Sequence, residues 1–209
     1  MYGHEIAQVI VDDDVAVKNS LFTTGRRGVA ATLAVEKMVG AAAEQGAGVE
    51  ALKAVGEKVN KATRSMGVAL TSGTVPAAGR FTIELGETEM EMGVGIHGEP
   101  GRRRVSILSA DEIAEEMVTT VVGDLGRTGD ALVFVNGFGG TPAMELYLMF
   151  NAAKAQHVTR GIRPARALVD NYVTSLDMAG CSFTITLLDD EMVNLWDAPD
   201  HTPVLRWGM

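Results

Sequence analysis

A single cysteine, Cys181, in 209 residues excludes an internal disulfide and predicts a chain suited to a reducing cytoplasm. Aromatic residues are scarce, at 5%. None interleaves the short basic cluster Arg102–Arg104, which therefore reads as a surface hairpin and not as a nucleic-acid patch. Positive charge is also in deficit: 18 Lys and Arg stand against 27 Asp and Glu, a net charge of −9 at pH 7. A field of that sign repels phosphate backbones and anionic lipid, which excludes a general affinity for either. No run of about 18 uncharged apolar residues occurs, so no membrane-spanning helix is expected. The opening MYGHEIAQ lacks a basic segment followed by an apolar one, and no signal peptide is read there. No serine triad, zinc spacing or reactive-cysteine motif is present, and no metal site is assigned.

What remains is a chain 46% hydrophobic, enough to bury a sizeable core. Glu5–Val11, EIAQVIV, is β-branched and mostly apolar, the pattern of a buried strand. Gly28–Gln45 is alanine-rich and nearly uncharged, predicting a helix covered on most sides and ended by Gly46. Val49–Ser65 reads as a more amphipathic helix. Strands are expected at Met66–Leu70, Phe81–Leu85 and Glu91–Ile96, with SGTVPAAGR as a punctuated link. Ser109 and Glu112 form a capping box that opens a helix running to about Leu125. Ala131–Val135 is a strand, and Thr141 with Pro142 predicts a capped helix reaching about His157. RALVD and CSFTITLL are further strands, and DDEMVNLW is a final short helix. The alternation implies an α/β fold with α+β character, a mixed sheet flanked by helices. The first strand and the Gly28–Gln45 helix both need covering, either by a partner subunit or by a preceding part of a larger domain, and the chain is expected not to be a monomer.

Several constellations can carry chemistry. GIHGEPG places His97 among Gly95, Gly98 and Gly101, where the backbone is barest. One reading is an accessible imidazole, a nucleophile in its neutral form, poised for an electrophilic carbonyl carbon. The other is an inert histidine in a tight turn. Glu99 either orients the ring or sits in solvent. VNGFGGTP has the placing of a phosphate cradle but lacks a P-loop lysine and dinucleotide-fold spacing; a strand-to-helix turn requiring glycine is favoured. The three carboxylates of VDDDVAV alternate in direction along an extended chain, so they hardly converge on one cation, and a loop and helix-capping role is favoured. Arg26 and Arg27 stand where they can meet those carboxylates or an acidic partner.

Together VDDDVAV, TGRRGVAAT, GAAAEQGA, SMGVALTSGTVPAAG, GIHGEPG, SADEIAE, VNGFGGTPAMELY and NYVTSLDMAGCSFT resemble the dihydroxyacetone (glycerone) kinases, specifically their sugar-binding K subunit or K domain. The resemblance spans nearly the whole chain. It implies that His97 captures the ketone of dihydroxyacetone as a hemiaminal, with Gly95 and Gly98 beside the substrate. It implies the C-terminal part of a two-domain K fold, with residues 1–62 from the N-terminal K domain and 63–209 forming the C-terminal one. It implies no nucleotide on this chain, the donor (ATP or phosphorylated ADP) being held by a separate L subunit or domain. It also implies a homodimer and a cytoplasmic location. The family's glycine-rich segment with a second histidine, and its aspartate in a later motif, have no counterpart here. The chain alone is therefore expected to be inactive in phosphoryl transfer. The alternatives are a non-catalytic or regulatory ketose-binding protein, or a kinase of a related ketose such as erythrulose.

Overall fold

The computed structural model describes residues 3, 5–16, 25–76, 79–81, 83–96 and 101–208. A six-stranded mixed sheet organises them. Its strands are β1 (Thr63–Ala69), β4 (Glu89–Met92), β5 (Arg103–Ser106), β6 (Gly129–Gly137), β7 (Ile162–Asp170) and β8 (Gly180–Leu187), in the order β5-β4-β1-β8-β6-β7. Only β6 and β7 run parallel, as a strand–helix–strand crossover requires; the other neighbours are antiparallel. The short strands β2 (Thr74–Val75) and β3 (Arg80–Phe81) pair with each other outside this sheet. So do β9 (Asp200–His201) and β10 (Arg206–Trp207).

Strand alternation sorts the side chains into layers. On β6, Ala131, Val133 and Val135 face a core beneath α3 (Ala110–Leu125) and α4 (Ala143–Thr159). Leu132 and Phe134 face a second core beneath α1 (Ala31–Glu44), α2 (Val49–Lys61) and α5 (Asp190–Asp197). β8 sends Cys181, Phe183 and Ile185 into the first core. Its opposite face is hydroxylic: Thr184 meets Ser65 at 2.7 Å and Thr186 meets Thr63 at 2.9 Å, so these buried polar groups satisfy one another.

Most predicted elements form close to their expected places, and the departures have local causes. The Ser109–Glu112 capping box opens α3, and Gly126 ends it in the left-handed region, at φ +62. The first helix starts at Ala31 instead of Gly28. The second ends at Lys61 because Thr63 already belongs to β1. The Phe81–Leu85 strand reduces to a two-residue pairing, and Ile83 and Leu85 instead cover Phe138 and Met178 in a third cluster. β4 stops at Met92, since Gly93 turns the chain at φ +78. The basic cluster is the return strand of a β4–β5 hairpin, as its surface reading predicted.

Two expectations are corrected. Thr141 does not cap α4. Its hydroxyl donates to the Gly180 carbonyl and accepts from the Gly180 amide, each at 2.7 Å, and the cap position falls to Pro142. The segment Glu5–Val11 is extended but is not a buried strand: it joins no ladder among the described residues, and Ile6 and Ile10 are 87% and 68% exposed. Its other side packs on helices, with Val9 seated over Gly56 beside Val35 and Val39. No described strand runs alongside to cover its outer face.

Candidate functional site

The edge of β1 is where the sequence motifs converge. β4 pairs with it at Val68 and Ala69. Below that point the edge is taken by VDDDVAV, which runs parallel to β1: Val15 donates to the Ser65 carbonyl at 2.9 Å and Ser65 to the Asp13 carbonyl at 2.8 Å. Between the two, the Gly93 amide donates to the Gly67 carbonyl at 2.7 Å. Gly67 has no room for a side chain, since a Cβ there meets the Val94 carbonyl oxygen at 2.5 Å and the Phe138 ring at 2.9 Å.

The carboxylates divide their work. Asp13, wholly buried, accepts from the amides of Val29 at 2.8 Å and Ala31 at 3.1 Å, and from the Ser65 hydroxyl. It therefore caps the amino end of α1 from a distance, the capping role read for this motif. Burial pushes its pKa up, and these hydrogen bonds oppose the shift. Asp14 pairs with Arg27, whose Nε and Nη2 lie 2.8 and 2.7 Å from Oδ2. Burial raises the Asp14 pKa to about 6 against the pull of that guanidinium. Arg26 turns outward instead and forms a two-pronged pair with Asp124 at the end of α3, both contacts at 2.7 Å.

The loop between β4 and β5 carries GIHGEPG. His97, Gly98 and Glu99 lie outside the described residues; Gly95 is described and buried. The stems of the loop are held tightly. Arg102 donates its amide to the Met92 carbonyl at 2.7 Å, and Gly101 donates to Glu91 Oε1 at 2.5 Å. The Arg27 guanidinium reaches the Gly93 carbonyl at 2.9 Å. Ile96, the residue before His97, lines an open groove of about 940 Å³ that runs between α1 and the segment Ala198–Leu205.

Tyr172 and Val173 also line that groove, and their amides both donate to Asn136 Oδ1, at 2.8 and 2.7 Å. Asn136, near the end of β6 where the VNGFGGTP motif begins, thus fixes this part of the lining, a role its sequence setting did not announce. The turn that follows needs its glycines. Gly139 sits at φ +117, and a Cβ there would collide with the Leu176 carbonyl. Cys181 is buried and its thiol is pushed up to about 12 by burial, which leaves it inert.

Comparison with known proteins accounts for this convergence. A family model described as Dak1 domain matches residues 1–204. The chain is 44% identical to the PEP-dependent dihydroxyacetone kinase, dihydroxyacetone-binding subunit DhaK, of Escherichia coli, across 99% of this chain and 65% of that one. It is 47% identical to the dihydroxyacetone-binding subunit DhaK of PTS-dependent dihydroxyacetone kinase 1 of Listeria innocua, across 90% of this chain and 57% of that one. The chain thus spans about three-fifths of the length of these relatives. Among solved structures, a dihydroxyacetone kinase operon co-activator, Dha-DhaQ, superposes with a TM-score of 0.84 at 28% identity, covering 91% of this chain and 60% of the other. The resemblance read from the motifs is borne out over nearly their whole span, and the chain belongs to the Dak1 domain family.

Proposed function

We propose that the chain is the substrate-tethering portion of a dihydroxyacetone kinase, with His97 as the residue that captures the ketone. The observation that carries this reading is the match of 99% of the chain to a dihydroxyacetone-binding subunit. The held stems of the loop that bears His97, and the groove lined by the residue before it, support it. Capture balances as a simple addition. A ring nitrogen lone pair attacks C2, the carbonyl π pair moves to oxygen, and that oxygen takes a proton as the other ring nitrogen gives one up. Glycerol offers the same hydroxyls without an electrophilic carbon, so addition separates ketose from polyol more sharply than hydrogen bonds do. Holding C2 also fixes a terminal hydroxyl relative to an incoming phosphoryl group.

In this reading residues 1–62 belong with an N-terminal K domain and 63–209 form the C-terminal one. Gly95 and Gly98 border the substrate. The phosphoryl donor, ATP or phosphorylated ADP, sits on an L subunit or domain, and the working unit is a cytoplasmic homodimer. No described helix is long and apolar enough to cross a membrane. A second reading, a regulatory ketose-binding protein, is favoured by the likeness to the operon co-activator.

Carbon NMR with dihydroxyacetone labelled at C2 tests the tether. The carbonyl resonance should give way to that of a tetrahedral carbon on addition of the protein, and should persist with His97→Ala or with saturating wild-type protein if the reading is wrong. A phosphorylation assay with L subunit and donor, using dihydroxyacetone and erythrulose in parallel, separates kinase from regulator.

A further inference from the structure

The buried pair Asp14–Arg27 is far from ordinary surface electrostatics: the two side chains are 2% and 4% exposed. An ion pair so deep is costly to desolvate and is weak evidence for stability in itself. Its connections suggest another use. Arg27 holds Asp14 Oδ2 through Nε and Nη2, and the same Nη2 reaches the Gly93 carbonyl at 2.9 Å. Gly93 is fixed from its other side as well, through its amide on Gly67. Its α-carbon is packed so closely that a Cβ would meet the Ala16 Cβ at 2.7 Å. His97 follows four residues later. Asp14 is itself locked, accepting from the Ala16 amide at 2.8 Å.

We propose that Asp14 and Arg27 are positioning residues for ketone capture: the pair anchors the entrance of the loop that bears His97 and so sets where the imidazole stands. The inference rests on the reading of His97 as the tether. Three stretches distant in sequence, VDDDVAV, TGRRGVAA and GVGIHG, meet at one guanidinium. Arginine suits this because its planar fork bonds two acceptors in fixed directions, whereas a lysine ammonium on its flexible stem does not hold both in one geometry. Small misplacements of a reacting group cost about 10²-fold.

The test compares the wild-type chain with Arg27→Lys and with Asp14→Asn, which preserve the size of the site. Thermal unfolding identifies which variants fold. Capture of C2-labelled dihydroxyacetone should weaken about 10- to 100-fold in the folded variants. In the ligand-free proteins, the imidazole nitrogen resonances of His97, identified by their loss in His97→Ala, should shift while those of His157 and His201 stay in place. Wild-type capture matched by both variants, with unmoved His97 resonances, would overturn the proposal. A wild-type chain that captures no ketone sinks the tether reading instead, and the ring resonances of the free proteins still decide whether the pair positions His97.

Discussion

His157 stacks on Phe183 with ring centroids 4.9 Å apart, and neither of its ring nitrogens has a hydrogen-bond partner among the described residues. The ring is fully buried at the carboxyl end of α4. Burial lowers its pKa to about 4, with the nearby Arg160 charge adding to the shift. The imidazole is therefore held neutral and behaves as a core aromatic.

Stability should consequently fall between about pH 6.5 and pH 4, because the unfolded chain takes up a proton there that the folded chain refuses. Full separation of the two pKa values corresponds to roughly 3 kcal/mol. Asp14, raised to about 6, contributes with the opposite sign as pH falls through 6, so the comparison must be between wild type and His157→Leu. Urea midpoints across this window should show a steeper acid decline in wild type than in the variant. Parallel curves would contradict the assignment.

Two glycines should respond to alanine with opposite signs. At Gly139 the positive φ and the Leu176 carbonyl both forbid a side chain, and Gly139→Ala should cost about 2–4 kcal/mol. Gly123, exposed on α3 with nothing within 4 Å of a Cβ, should gain about 0.5–1 kcal/mol from the same change. Denaturant titration of the two variants reads both signs.

Asp13→Ala should destabilise the fold by about 2–4 kcal/mol, since it strands the buried amides of Val29 and Ala31 at the start of α1. Asp13→Asn, which still offers an acceptor, should cost clearly less. Equal losses would show that the negative charge, and not the acceptor, is what α1 needs.

On the proposed reading of His97 as the tether, capture should weaken as pH falls through the ordinary imidazole range, about 6.5, because only the neutral ring is nucleophilic. His97→Asn should fail as completely as His97→Ala, an amide being unable to add to a ketone. Apparent dissociation constants from the same NMR titration, taken between pH 5.5 and 8, measure this directly.

Much of the architecture was legible because its signals are local. The Ser109–Glu112 box lies within one helical turn, and the alternation in CSFTITLL marks the layers of β8 without reference to any other strand. The motif order, read with the glycines around His97, was sufficient to identify the family. Composition alone, through its lone cysteine, excludes an internal disulfide.

Tertiary structure decided what depends on distant partners. Thr141 has the side chain and the setting of a helix cap, yet Gly180, 39 residues away, claims its hydroxyl. Asp13 caps a helix that begins only at Ala31, and Arg27 spans 66 residues to reach Gly93. Apolarity in Glu5–Val11 called for burial, but a strand is covered only where another surface runs beside it, and α1 and α2 supply one side alone. Propensity and pattern act over a few residues. Which hydroxyl, carboxylate or carbonyl a buried group finds is settled by chain crossings that no local window contains.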